Sequence, residues 1–194
     1  MHRQGHSGIV LLALACSTYG LLGAGRPLLA VLAWGVVWIE PLPDYDLRTP
    51  LLTHRGTSHS LVAAVVVGGC CAGLGWLLGT YLTAPLLPWL RAEVLLGSEW
   101  RMHVDVLDAA SLSLVGFCLG AGGIVLHLLG DIITVSGIQP FLPFSQRRVR
   151  LARFRAASTP VNSLLFGMGV LAIVAVGVVV TPLDERFVTM LGFD

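Results

Sequence analysis

The run AASLSLVGFCLGAGGIVLHLLGDII, residues 109–133, carries no ionisable side chain other than its cysteine until His127 and Asp131, which close it. A helix needs about 20 mostly apolar residues to cross a bilayer, and this run has them. In a helix, positions i and i+4 share a face, so the imidazole of His127 and the carboxylate of Asp131 point the same way. An ionisable group in a spanning helix costs about 2.5–3.5 kcal/mol on insertion scales unless it finds a partner. The run therefore predicts a transmembrane helix whose last turns hold two groups in need of a third.

Working outward, the whole chain fits that setting. Of its 194 residues, 55% are hydrophobic and only 12% charged, about half the charge of an ordinary soluble domain. So few charges cannot cover a soluble surface. The expected fold is all-α: one integral membrane helical bundle of about five spans, read as a single membrane-embedded domain over residues 1–194. Besides Ala109–Ile133, the spans are Ser7–Gly25, Leu28–Ile39 (extended at most to Leu42), Ser60 to about Leu82, and Ser158-Thr159-Pro160 to Val180. Thr159 reads as an N-cap with Pro160 at the first helical position. The uncharged sequence beyond Leu82, with Pro85 and Pro88, reads as a bent interfacial segment. Cys16, Cys70, Cys71 and Cys118 lie in apolar runs without metal-binding spacing, and read as small buried side chains.

Arginine distribution sets the orientation, because cytoplasmic loops carry excess basic residues. Alternating five spans puts Arg3, Arg48, Arg55, Arg147, Arg148, Arg150, Arg153 and Arg155 on one side and Arg26, Arg91, Arg101 and Arg186 on the other. Eight against four predicts a multi-pass inner or plasma membrane protein with a cytoplasmic N-terminus. The same alternation places His6, Asp44, Asp46, His54, His59, His127 and Asp131 together on that cytoplasmic face.

Imidazoles and carboxylates gathered at helix ends are the donor set of a divalent metal site. Asp44 and Asp46 follow the helix-stopping Pro41-Leu42-Pro43; in extended backbone both would share a face and could flank ions. His54 and His59 bracket Arg55-Gly56-Thr57-Ser58, so one can ligate while the other serves as acid or base. Arg55 is suited to an anionic substrate oxygen. Glu40, at the end of the second span, reads more simply as a rim residue, and His103 falls on the opposite side. The Arg147–Arg155 run reads first as an anchor on anionic headgroups. Near-neutral overall charge disfavours nucleic acid as a partner.

Four pieces carry a family resemblance: Gly5-His6, Leu42-Pro43-Asp44-Tyr45-Asp46, His54-Arg55-Gly56-Thr57-Ser58-His59-Ser60, and His127-Leu128-Leu129-Gly130-Asp131, with a weaker Thr134 to Pro140 tail. Together these resemble the inner-membrane metal-dependent hydrolase family, also called YdjM-like, over His6 to about Pro143. That family is in turn remotely similar to the zinc-dependent phospholipase C and P1 nuclease group. The resemblance implies His6, Asp44, His54, His59, His127 and Asp131 as ligands. Leu47 stands where the family often has a further histidine.

The expected activity is hydrolysis of a phosphoester with a metal-activated water. One to three divalent ions are expected, zinc first, with manganese or iron able to serve. His6, His127 and Asp131 would hold one ion and Asp44, His54 and His59 another. Asp46 would bridge them or act as base, His59 would ligate or move a proton, and Arg55 would steady developing negative charge. A lipid phosphoester at the membrane surface is the first-choice substrate, ahead of a soluble one. Competing readings are a metal-ion carrier or other non-enzymatic metal-binding membrane protein, a metal-free phosphatase of the membrane lipid-phosphatase type, and a haem protein. The phosphatase lacks its Pro-Ser-Gly-His motif here.

Overall fold

In the computed structural model, residues 1–48, 56–91, 104–152 and 154–180 are described. Their regular structure is helical: α1 (Arg3–Gly23), α2 (Pro27–Ala33), α3 (Val36–Ile39), α4 (Leu61–Leu77), α5 (Ala84–Arg91), α6 (Ala109–Ile132) and α7 (Thr159–Val180). Five stretches are long and apolar enough to cross a membrane: Arg3–Gly23, Pro27–Tyr45, Leu61–Pro88, Ala109–Ile132 and Thr159–Val180.

Small residues decide how the helices pair, as expected where lipid tails remove the hydrophobic drive and close van der Waals contact takes over. Helices α4 and α6 run antiparallel along a glycine seam: Gly75 lies against the backbone of Leu112, Gly116 against that of Cys71, and Gly120 against Gly68. Parallel α1 and α7 meet in the same way, with Gly8 against Leu165 and Gly169 against Gly8. Two apolar clusters fill the interior beside the ionisable groups, one of Ala64, Ile124, Leu128 and Ile138, the other of Val10, Leu14 and Val36.

Three expectations change. The second span is a broken helix, interrupted at Trp34-Gly35 and continued after α3 by a 3-10 helix, Leu42–Arg48. There Asp44 and Asp46 were expected in extended backbone; the tighter 3-10 winding, about three residues per turn, removes the two-residue period on which their shared face depended. The third span does not end near Leu82. It passes through a π-helical turn, Leu78–Thr83, into α5, which encloses Pro88. The Thr83 hydroxyl reaches Gly79 O at 3.1 Å and also Leu107 O. The π turn is closed by Ala84 N donating to Gly79 O, and local 3-10 or π adjustments of this kind let a spanning helix carry prolines. Finally, α7 begins one residue earlier than Thr159 as N-cap implies, with Asn162 N bonded to Ser158 O at 3.1 Å.

Between α6 and α7 the chain folds over the end of α6. Ile138 and Val149 exchange backbone hydrogen bonds of 3.1 and 2.9 Å, and Leu61 N at the head of α4 donates to Pro140 O at 2.8 Å. This strap fixes the ends of α4 and α6 together, which is where the histidines lie.

Candidate metal centre

Six ionisable side chains reach the centre from five places in the fold. His6 stands on the first turns of α1, Glu40 just past α3, Asp44 on the 3-10 helix, His59 immediately before α4, and His127 and Asp131 on the last turns of α6. Local structure aims them. Ser60 caps α4, its hydroxyl accepting from Ala63 N at 3.2 Å and donating to Thr57 O at 2.6 Å. That fixes the short 3-10 turn Thr57–His59 and turns His59 inward, where its side chain is fully buried. Two glycines on α6 make room. A Cβ at Gly123 would meet Ile39 at 2.7 Å, so α3 lies close enough for Glu40 to reach His127. At Gly130 a Cβ would strike His6 Nδ1 at 2.5 Å, so the imidazole rests directly on the helix backbone.

The rings of His6 and His127 stack, centroids 4.2 Å apart and planes 9° from parallel. Glu40 Oε1 meets both rings on one side, at 2.9 Å from His127 Nδ1 and 3.1 Å from His6 Nδ1. A carboxylate only accepts, so the proton of the His127 bond belongs on Nδ1 and the Nε2 lone pair is left facing the centre. On that side His127 Nε2 lies 3.4 Å from Asp44 Oδ1 and 3.9 Å from Asp131 Oδ2. His59 Nε2 lies 3.6 Å from the same Asp44 oxygen and 3.7 Å from the same Asp131 oxygen. The other Asp131 oxygen, Oδ1, is 3.5 Å from His6 Nε2 and 2.7 Å from the Met1 amino nitrogen. Nε2 of His6 and of His127 are buried with no hydrogen-bond partner among the described residues.

These groups could hold a metal ion in two ways, as His6, Glu40 and His127 or as Asp44, His59 and His127. Both sets claim His127, and a neutral imidazole offers one lone pair. Because Glu40 engages Nδ1, the second set is favoured, with Glu40 holding the rings from behind. Ligand atoms around four-coordinate zinc stand roughly 3.3–3.6 Å apart, given bonds of about 2.0–2.2 Å. The two contacts of Asp44, 3.4 Å to His127 and 3.6 Å to His59, fall within that range, and the two of Asp131, 3.7 and 3.9 Å, are slightly wider. Asp44 alone of these is substantially open, 43% exposed, so the centre communicates with the outside through it.

A family model described as YdjM inner membrane protein matches residues 1–192. The chain belongs to that family. No curated protein and no solved structure matches it.

Of the residues expected from sequence, the structure brings together His6, Asp44, His59, His127 and Asp131. His54 and Arg55 lie outside the described residues, as does the side chain of Asp46. Of the expected division, His6, His127 and Asp131 on one ion and Asp44, His54 and His59 on another, the described residues group Asp44 and His59 with His127, and His6 with Glu40 and His127. Glu40 was read as a rim residue and is instead buried, 7% exposed, between two imidazoles. The signal for it was available: it is the sole charged residue between Arg26 and Asp44, where a carboxylate needs a partner.

Proposed function

We propose that this YdjM family chain is a membrane-embedded, metal-dependent hydrolase that cleaves a phosphoester at the cytoplasmic face of the bilayer. The observation that carries the reading is the convergence of two imidazole nitrogens, without hydrogen-bond partners among the described residues, and two carboxylates, from three helices, at spacings near those of a zinc shell. Imidazole and carboxylate donors suit zinc, and manganese or iron is also compatible with them. When bound, a divalent ion supplies a nucleophilic water at neutral pH and polarises the ester oxygen.

The chain's own residues do the rest. Glu40 orients the rings of His6 and His127. Asp131 offers one oxygen towards His59 and His127 and the other towards His6. Asp44 stands at the mouth, beside the entering substrate. His59, its Nδ1 held 3.0 Å from Ser58 Oγ, is ligand or proton carrier. The proposed roles of His54 as a further ligand, Asp46 as base and Arg55 as anion partner follow from the family resemblance. A cytoplasmic orientation is supported by the arginine count and by exposed Arg147, Arg148, Arg150 and Arg155 beside exposed Phe144 and Leu151 at the same end.

A carrier would hold its ligands near the midplane with access from both sides; confinement of this cluster to one end supports the enzyme instead. The test is hydrolysis of bis(p-nitrophenyl) phosphate and of phospholipid vesicles by detergent-purified protein, with and without chelator. Chelator-sensitive cleavage is expected. Cleavage that resists chelator, or metal flux into liposomes without cleavage, would overturn the reading.

A further inference from the structure

Two cavities meet at the mouth of the metal centre. The outer one, about 190 Å³, is lined by Arg3, His6, Glu40, Pro41, Asp44 and Tyr45. The inner one, about 130 Å³, shares Arg3, Glu40 and Pro41 and then runs between α1 and α3 along Ser7, Val10, Leu11 and Val37. All four of these residues lie inside membrane-spanning stretches. Val37 is 44% exposed and the adjacent Trp38 81% exposed; in a bilayer that exposure is to lipid and the interface. Arg3 is exposed at the junction and forms no ion pair with any described carboxylate. A charged opening thus passes directly into an apolar furrow that faces lipid.

From this continuity we propose that the substrate is a membrane amphiphile: an anionic phosphate headgroup seated by Arg3 over the metal centre, with the first part of one hydrocarbon chain in the α1–α3 furrow. The furrow is too small to enclose a whole chain, so the remainder stays in the bilayer and the molecule is never extracted. Arg3 is then a substrate-binding residue, its guanidinium matching phosphate oxygens, and Val37 is the gatepost of the furrow. That the headgroup is a phosphoester rests on the hydrolase reading; occupancy of the furrow does not.

The experiment uses the full chain in phosphatidylcholine nanodiscs and a long-chain alkyl phosphate bearing a diazirine near the headgroup. After illumination, peptide mass spectrometry locates the adducts. Adducts are expected on the Ser7–Leu11 and Val37 segments. Val37→Trp, which fills the furrow, should lower them at least fivefold while metal content stays constant. Arg3→Gln, an exposed substitution that leaves packing intact, should lower them at least threefold. Equal labelling of lipid-facing α7, or yields that neither substitution changes, would overturn the proposal. Wild-type protein that is labelled as expected yet cleaves no phosphoester would leave the furrow assignment standing and defeat the hydrolase reading instead.

Discussion

Cavities open at both ends of the bundle, and among the described residues the convergent imidazoles and carboxylates gather at one of them. At the far end, an open cavity of about 410 Å³ is lined mostly by apolar side chains such as Leu21, Leu29, Leu114 and Leu119, together with Arg26 and Cys118. The near cavity has less than half that volume but opens on His6, Glu40 and Asp44, and behind them on His127 and Asp131. The far cavity is what remains when helices diverge around leucines, and lipid can fill it at no electrostatic cost. At the near end, ionisable groups have been carried to depths where each is expensive unless compensated. The lesson is that convergent ionisable donors, more than cavity size, mark where a membrane bundle does work.

The contrast is broken or sharpened most strongly by substitution within the carboxylate pair. Asp131→Asn removes the charge that spans His6, His59 and His127, and hydrolysis should fall below detection, whereas Arg26→Gln at the far cavity should leave the rate at the wild-type level. Rates that respond equally to both would erase the difference between the ends. Next in size is Gly130→Ala. Its methyl group would occupy the place of the His6 ring, so metal affinity should drop by more than the ~10–100-fold that losing an outer partner causes. Gly122→Ala, on the same helix with nothing within 4 Å of its Cβ, is the matched control and should bind metal normally.

Glu40→Gln should have a smaller effect. The amide keeps one acceptor but loses the charge that holds two imidazoles, and metal affinity should fall by about 10-fold, as read by competition with a chromogenic chelator. An effect equal to that of Asp131→Asn would make Glu40 a ligand in its own right. Ser58→Ala should be the mildest. It removes the 3.0 Å contact to His59 Nδ1, a bond worth about 0.5–1.5 kcal/mol, hence roughly 2–10-fold in affinity.

The spans at both ends of the chain were legible because apolar runs of bilayer length leave little choice, and His127 with Asp131 was legible because helical period alone puts them on one face. His6, Asp44 and His59 could be assigned to the same end by counting spans, with no knowledge of packing. The same count puts Glu40 at that end, but its partner His127 is 87 residues distant, and beside Pro41 it looks like the end of a helix. The ring nitrogen each histidine offers was equally hidden, since it depends on which carboxylate packs behind the ring. Past Leu82 the uncharged stretch looks too long for one helix and reads as a bent interfacial segment, whereas a π turn carries it on into α5.

Elemental analysis of wild-type and His127→Ala protein, purified in parallel in detergent after growth with supplementary zinc, tests the metal centre most directly. At least one divalent ion per wild-type chain is predicted, and its loss from His127→Ala. Wild-type protein without metal, or equal metal in both, would contradict it.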